Sequence, residues 1–129
     1  IWLQMHLVFE CIWDNRFLYR DLVDILSRNR RLRVRFARIL KRATDNASSV
    51  IRGLSQAGIL RASAAEMDAL ATNILVLATF WLNYGAARGD QDEAKSIRLG
   101  IVQVMMLISP FLRDAERVHL NTLSQAYDD

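Results

Sequence analysis

Residues 67–87 read Met-Asp-Ala-Leu-Ala-Thr-Asn-Ile-Leu-Val-Leu-Ala-Thr-Phe-Trp-Leu-Asn-Tyr-Gly-Ala-Ala, and only Asp68 among them is charged. At helical spacing this run carries two apolar stripes. Met67, Leu70, Ala71, Ile74, Leu77, Ala78, Trp81 and Tyr84 form one; Leu75, Thr79, Leu82 and Ala86 form the other. A surface helix buries one stripe, so a helix with two must be covered on both sides. The core of a short chain covers one side. The other side requires a partner, either a second copy of the chain or a bilayer.

The surrounding sequence is helical in the same sense. The chain has 129 residues, of which 52% are hydrophobic, enough for one domain over residues 1–129 with its own core. One proline and five glycines are too few for a turn-rich β fold. Residues 1–13 repeat apolar side chains at three- and four-residue steps: Trp2, Met5, Val8, Phe9, Ile12 and Trp13. Asp14-Asn15 favours a break. Residues 16–27 form a second helix, in which Arg20 and Asp24 are spaced to pair at i, i+4. Residues 31–56 give the clearest amphipathic pattern, a scaffold helix of roughly 40 Å. Its weakest part is Thr44 to Ser49, where a kink is expected.

The boundary before the apolar helix is sharply marked. Gly58 suits a left-handed helix stop with Ile59 as its hydrophobic partner. Ser63-Ala64-Ala65-Glu66 then forms an S-x-x-E capping box. After a charged connection at residues 88–93, a second apolar helix runs from about Asp92 to Ser109, and Ser109-Pro110 interrupts it. Residues 112–126 make a last helix. The expected architecture is all-α: an antiparallel bundle of about five to six helices. Its apolar hairpin pairs with a second copy into a dimeric four-helix bundle. The faces assigned to that dimer are Leu70, Ile74, Leu77, Ala78 and Trp81 on the first hairpin helix, and Ile101, Val104, Met105 and Ile108 on the second.

The bilayer alternative is weaker. Residues 69–87 are uncharged and near the length of a spanning helix. Thr72, Asn73, Thr79 and Asn83 raise the cost of insertion, and the run from Leu99 to Leu112 is short and contains Pro110. No membrane association is expected.

Catalysis has no visible apparatus. His6 and His119 lie far apart, neither with a Cys, Asp or Glu at metal-ligand spacing. No C-x-x-C, H-E-x-x-H, phosphate loop or G-x-S-x-G is present. No enzyme, metal or cofactor is expected. The single cysteine, Cys11, excludes an internal disulfide and fits a reducing, cytoplasmic compartment; its usual role is a small buried hydrophobe.

Charge is uneven although the net is only +3. Between Arg28 and Arg42 lie eight basic residues and no acid. Arg31, Arg35, Arg38 and Arg42 follow i, i+4, i+7, i+11, one stripe of the scaffold helix. The functional reading is phosphate contact; the ordinary reading is a solvated outer face. The aromatics pose a similar choice between core packing and the wall of an apolar ligand cavity between helices. The candidate lining is Trp2, His6, Phe9, Trp13, Phe17, Asn73, Leu77 and Trp81. Asn73 and Asn83 are the better polar handles, because a buried amide needs partners.

Three stretches carry a resemblance to the C-terminal half of TetR-family transcriptional regulators. Arg16-Phe17-Leu18-Tyr19-Arg20-Asp21-Leu22 is similar to an "RFxYRDL" segment of one subgroup. Gln56-Ala57-Gly58-Ile59-Leu60-Arg61 is similar to the "AGxLR" that precedes the dimerisation hairpin. Leu70-Ala71-Thr72-Asn73 and Ala78-Thr79-Phe80-Trp81-Leu82 resemble that hairpin's first helix. The resemblance implies a homodimer that senses a small apolar effector and reads operator DNA only through a preceding helix-turn-helix domain. That domain is not among these residues, in keeping with the mid-helix character of Ile1-Trp2-Leu3. A helical protein–protein adaptor without a small-molecule site is the competing expectation.

Overall fold

A computed structural model describes residues 2–89 and 91–128; the side chains of Trp2, Asp114, Ala115, Glu116, Tyr127 and Asp128 lie outside the description. Among the described residues there are seven α-helices: α1 (Trp2–Asp14), α2 (Arg16–Arg20), α3 (Leu22–Arg28), α4 (Arg30–Gln56), α5 (Ala64–Arg88), α6 (Glu93–Ile108) and α7 (Asp114–Asp128), with a 3-10 turn at Ser109–Phe111.

One helix more is present than the apolar pattern implied, because the expected helix over 16–27 breaks at Asp21. Asp21 sits at φ −106°, ψ 20°, ending α2 and starting α3. The break frees the carbonyl of Arg20, and Asn83 Nδ2 of α5 donates to it at 2.9 Å. The helix break also undoes the expected Arg20–Asp24 pair. Asp24 pairs instead with Arg28, 3.2 Å away. The expected weak segment of α4 does not break: helical hydrogen bonding runs through it, and the Thr44 hydroxyl donates to the carbonyl of Leu40 at 2.8 Å.

The α4–α5 boundary follows the sequence closely. Gly58 has φ +76°. Ile59 N–H donates to Leu54 O at 2.9 Å, and Gly58 N–H to Ser55 O at 3.0 Å. This pair of bonds defines a Schellman stop. Ser63 and Glu66 form the reciprocal capping box, at 2.9 and 3.1 Å. The intervening loop is fastened to the segment that follows Pro110. Leu60 bridges Leu112, with Arg61 N–H donating to Phe111 O and Arg113 N–H to Ile59 O. Arg117 then reaches back from α7 to the carbonyls of Ser109, Pro110 and Leu112.

α5 is the centre of the packing. α4 and α2 cover one side and α6 the other, while α1 and α7 pack on α6. One hydrophobic cluster joins Phe9 and Ile12 of α1, Ile51 of α4, Leu70, Ile74 and Leu82 of α5, Ile97, Ile101 and Val104 of α6, and Leu120 of α7. The single chain therefore covers most of both stripes of α5, leaving Tyr84 of the first and Ala86 of the second exposed. Leu70, Ala71, Ile74, Ala78 and Trp81 are buried from the first, Thr79 and Leu82 from the second. The expectation that one stripe needs a partner is corrected here, because α2 and α4 supply the second cover.

α1 owes its fit to one glycine. A Cβ added at Gly100 of α6 would lie 2.7 Å from Phe9 Cε1, well inside contact distance. Phe9 is buried, so its ring has no room to swing away. Gly100→Ala is expected to lower stability by about 1–3 kcal/mol despite alanine's better helix propensity. Urea unfolding of this variant, and of Phe9→Leu/Gly100→Ala, measures the clash; the double variant should recover part of the loss.

Candidate effector groove and interchain face

With most of both stripes covered, α5 leaves a strip in solvent in which Val76 and Phe80 join Tyr84 of the first stripe; they are 54%, 41% and 56% exposed. They repeat at i, i+4, i+8, so they line one side of the helix. Gln103 of α6 joins them. Together with Leu77, Trp81 and Arg88 they shape an open groove of about 420 Å³ along the hairpin. Arg88 lies over the Tyr84 ring at 5.3 Å, and Tyr84 stacks at a tilt on Trp81, 5.9 Å between centroids. Met106 of α6 is also exposed. Medium-sized apolar side chains collected on one face are uncommon at a purely solvated surface.

On the other flank of the same strip lies a smaller, almost wholly apolar groove of about 230 Å³. α3 gives it Leu22, Val23 and Leu26; α4 gives Phe36, Leu40 and Thr44; α5 gives Thr72, Leu75, Val76, Thr79 and Phe80. Its polar side chains are three threonines. Such a lining is apolar in character and offers no charge to select an ion. Tyr19 closes the neighbouring packing, edge-on to Phe36 at 6.0 Å. Burial, and secondly the nearby Cys11, push its phenol above the ordinary value of 10.0. The folded state thus holds that proton more tightly. The resulting stability is present below 10.0 and is lost as pH rises through the raised value.

The residues assigned to a ligand wall from sequence do not converge on one cavity. Phe9 is spent on Gly100. Trp81 is buried, and its indole N–H donates to Ser96 O at 2.9 Å across the hairpin. Phe17 is 71% exposed with the Arg16 guanidinium over its ring, and the same guanidinium lies 5.5 Å from the Trp13 ring. His6 faces Glu10, four residues on along α1, at 3.5 Å in a surface groove between α1 and the start of α6, so the expectation that no acid stands at ligand spacing from it is corrected. Asn73 is exposed, and the Trp2 side chain lies outside the described residues. Leu77 and Trp81 do border the hairpin groove. Asn83, the other proposed handle, uses its amide on Arg20, with Oδ1 buried and unpartnered. Cys11 is exposed rather than a buried hydrophobe.

The interchain residues need the same correction. Ile101 and Val104 are 0% exposed, and Leu70, Ile74, Ala78, Trp81, Met105 and Ile108 are also buried within the chain. They hold the hairpin to its own neighbours, and of them Trp81 also borders the hairpin groove. Leu77 is half-buried and borders the exposed strip. Val76, Phe80 and the threonine-lined groove were missed. A usable signal was present: Thr44, Thr72 and Thr79 interrupt otherwise apolar helix faces.

Two long apolar segments, Ala64–Arg88 and Glu93–Phe111, have the length and composition of membrane spans. In this structure they are the two arms of the hairpin, pinned by the Trp81–Ser96 bond. Among the described residues, no three His, Cys, Asp or Glu side chains are grouped to hold a metal ion.

The fold is thus an all-helical core built around a hairpin, with two grooves bordered by α5. Comparison with known proteins places it more closely. A family model described as TetR, bacterial transcriptional repressor, matches residues 1–120, and the chain belongs to that family. It is similar to a crystal structure of a TetR-family transcriptional regulator from Marinobacter aquaeolei VT8, with a TM-score of 0.85 and 25% identity. The match covers 97% of this chain and 60% of that regulator's chain. No curated protein matches.

Trp81→Phe removes the indole donor to Ser96 O, a carbonyl that keeps its place in the α6 ladder, and leaves a gap where the larger ring packed. A loss of about 1–3 kcal/mol is expected, read by thermal unfolding with helicity retained.

Proposed function

We propose that this chain is one domain, the effector-sensing and dimerising part of a cytoplasmic, non-enzymatic transcriptional regulator. Operator recognition belongs to a helix-turn-helix domain outside these residues. The observation that carries the reading is the position of Val76 and Phe80. They stand exposed between a groove suited to an apolar ligand and the outer face of the hairpin. In a homodimer that outer face meets its twofold copy, giving the four-helix bundle. A small apolar effector in the threonine-edged groove contacts α3, α4 and α5 together. It shifts the regulator only if it binds one arrangement of those helices better than the other.

The mechanism needs no reacting group. The grooves bind, and the rigid hairpin transmits. The packed state of Phe9 and Trp81 gives one specific observation in favour of the adaptor reading, in which no small molecule enters.

Two experiments separate the readings. Val76→Glu and Phe80→Glu each place a charge on the exposed strip and should yield monomers by size exclusion with unchanged helicity. Persisting dimers would put the interface elsewhere. Val104→Glu is uninformative, since Val104 is wholly buried. The neutral dye N-phenyl-1-naphthylamine should raise the melting temperature saturably, by the equivalent of about 2.7 kcal/mol at a hundredfold excess over its Kd. No saturable shift would favour the adaptor.

A further inference from the structure

We propose that the N-terminal half of α4 is a docking face for the phosphate backbone of duplex DNA, separate from any helix-turn-helix contact. Arg31, Arg35, Arg38 and Arg42 are all exposed on one side of α4, away from the buried Phe36 and Ile51. The first turn of the helix contains Arg30, Arg31 and Arg33 and no acid. A helix N-terminus already carries partial positive charge, so arginines there are electrostatically unfavourable. An ordinary solvated face relieves such repulsion with carboxylates one turn away. That device is used nearby, where Asp24 pairs with Arg28 within α3 at 3.2 Å and Asp45 with Lys41 beside the stripe on α4 at 3.1 Å. Within the stripe it is absent: among the described residues, the four stripe arginines have no carboxylate partner. The uncompensated charge is concentrated on one face of a chain whose net charge is only +3.

A polyanion supplies the missing counter-charge. From Arg31 to Arg42 the stripe runs about 16 Å, over which one strand of a duplex presents about five phosphates. α4 has a single aromatic residue, Phe36, and it is buried. Without aromatics the face cannot stack bases, which disfavours single strands. It rests on the family reading only in choosing DNA among polyanions. It predicts sequence-independent, salt-sensitive binding.

The test uses the 129-residue chain itself. Fluorescence anisotropy follows its binding to a mixed-sequence duplex of about 24 base pairs, from about 25 to about 200 mM KCl. The expected slope of log K against log salt is about −3 to −4, near 0.9 per neutralised phosphate. R31Q/R35Q/R38Q/R42Q should weaken binding by about tenfold or more at low salt and flatten the slope. R20Q/R61Q/R98Q/R113Q, removing equal charge elsewhere, should bind nearly as the unmodified chain does. Circular dichroism confirms that each variant is helical. Absence of duplex binding at the lowest salt, equal weakening by both variants, or equal competition by single strands or polyglutamate would overturn the proposal. Those results would leave the dimer and dye measurements untouched, so failure here is distinguishable from failure of the sensor reading.

Discussion

The constraint on which the rest depends is the burial of α5 from two directions. A helix with a single charge in its apolar stretch cannot stand at the surface. Here it is enclosed by α2 and α4 on one side and α6 on the other. The Trp81–Ser96 hydrogen bond fixes the hairpin across its buried seam. The Schellman stop and capping box fix where α5 begins. Once α5 is placed, its remaining strip has one direction in which to point, and both grooves are set by that strip.

This arrangement explains why the same residues border both grooves. Val76 and Phe80 flank the apolar groove and also face outward from the hairpin. A partner chain resting on the hairpin and a ligand in the groove would therefore press on the same two side chains. In a packed helical core, such shared contacts couple binding events without a long relay.

Much of this was legible in the sequence, in specific places. Gly58-Ile59 and Ser63–Glu66 identified the α4–α5 boundary because a helix stop and a capping box each use particular residues at fixed offsets. The all-helical class followed from apolar periodicity. The split at Asp21 did not, since the apolar pattern runs straight through it; the carbonyl of Arg20 at the break accepts instead from Asn83, distant in sequence. Most residues assigned to an interchain face prove buried within the chain for a related reason. Periodicity reveals which faces are apolar but not which neighbour covers them, so the most apolar residues, Ile101 and Val104, were assigned to a partner when α6's own neighbours bury them. Phe9 looked like a cavity wall for want of knowing that Gly100 receives it.

The most direct test of the central claim, that the exposed strip of α5 is a face between copies of this chain, is native mass spectrometry of the unmodified protein at low micromolar concentration. The account requires twice the chain mass of 14.8 kDa. A species that stays at 14.8 kDa as concentration rises would contradict it, leaving Val76, Phe80 and Tyr84 without the partner that their exposure implies.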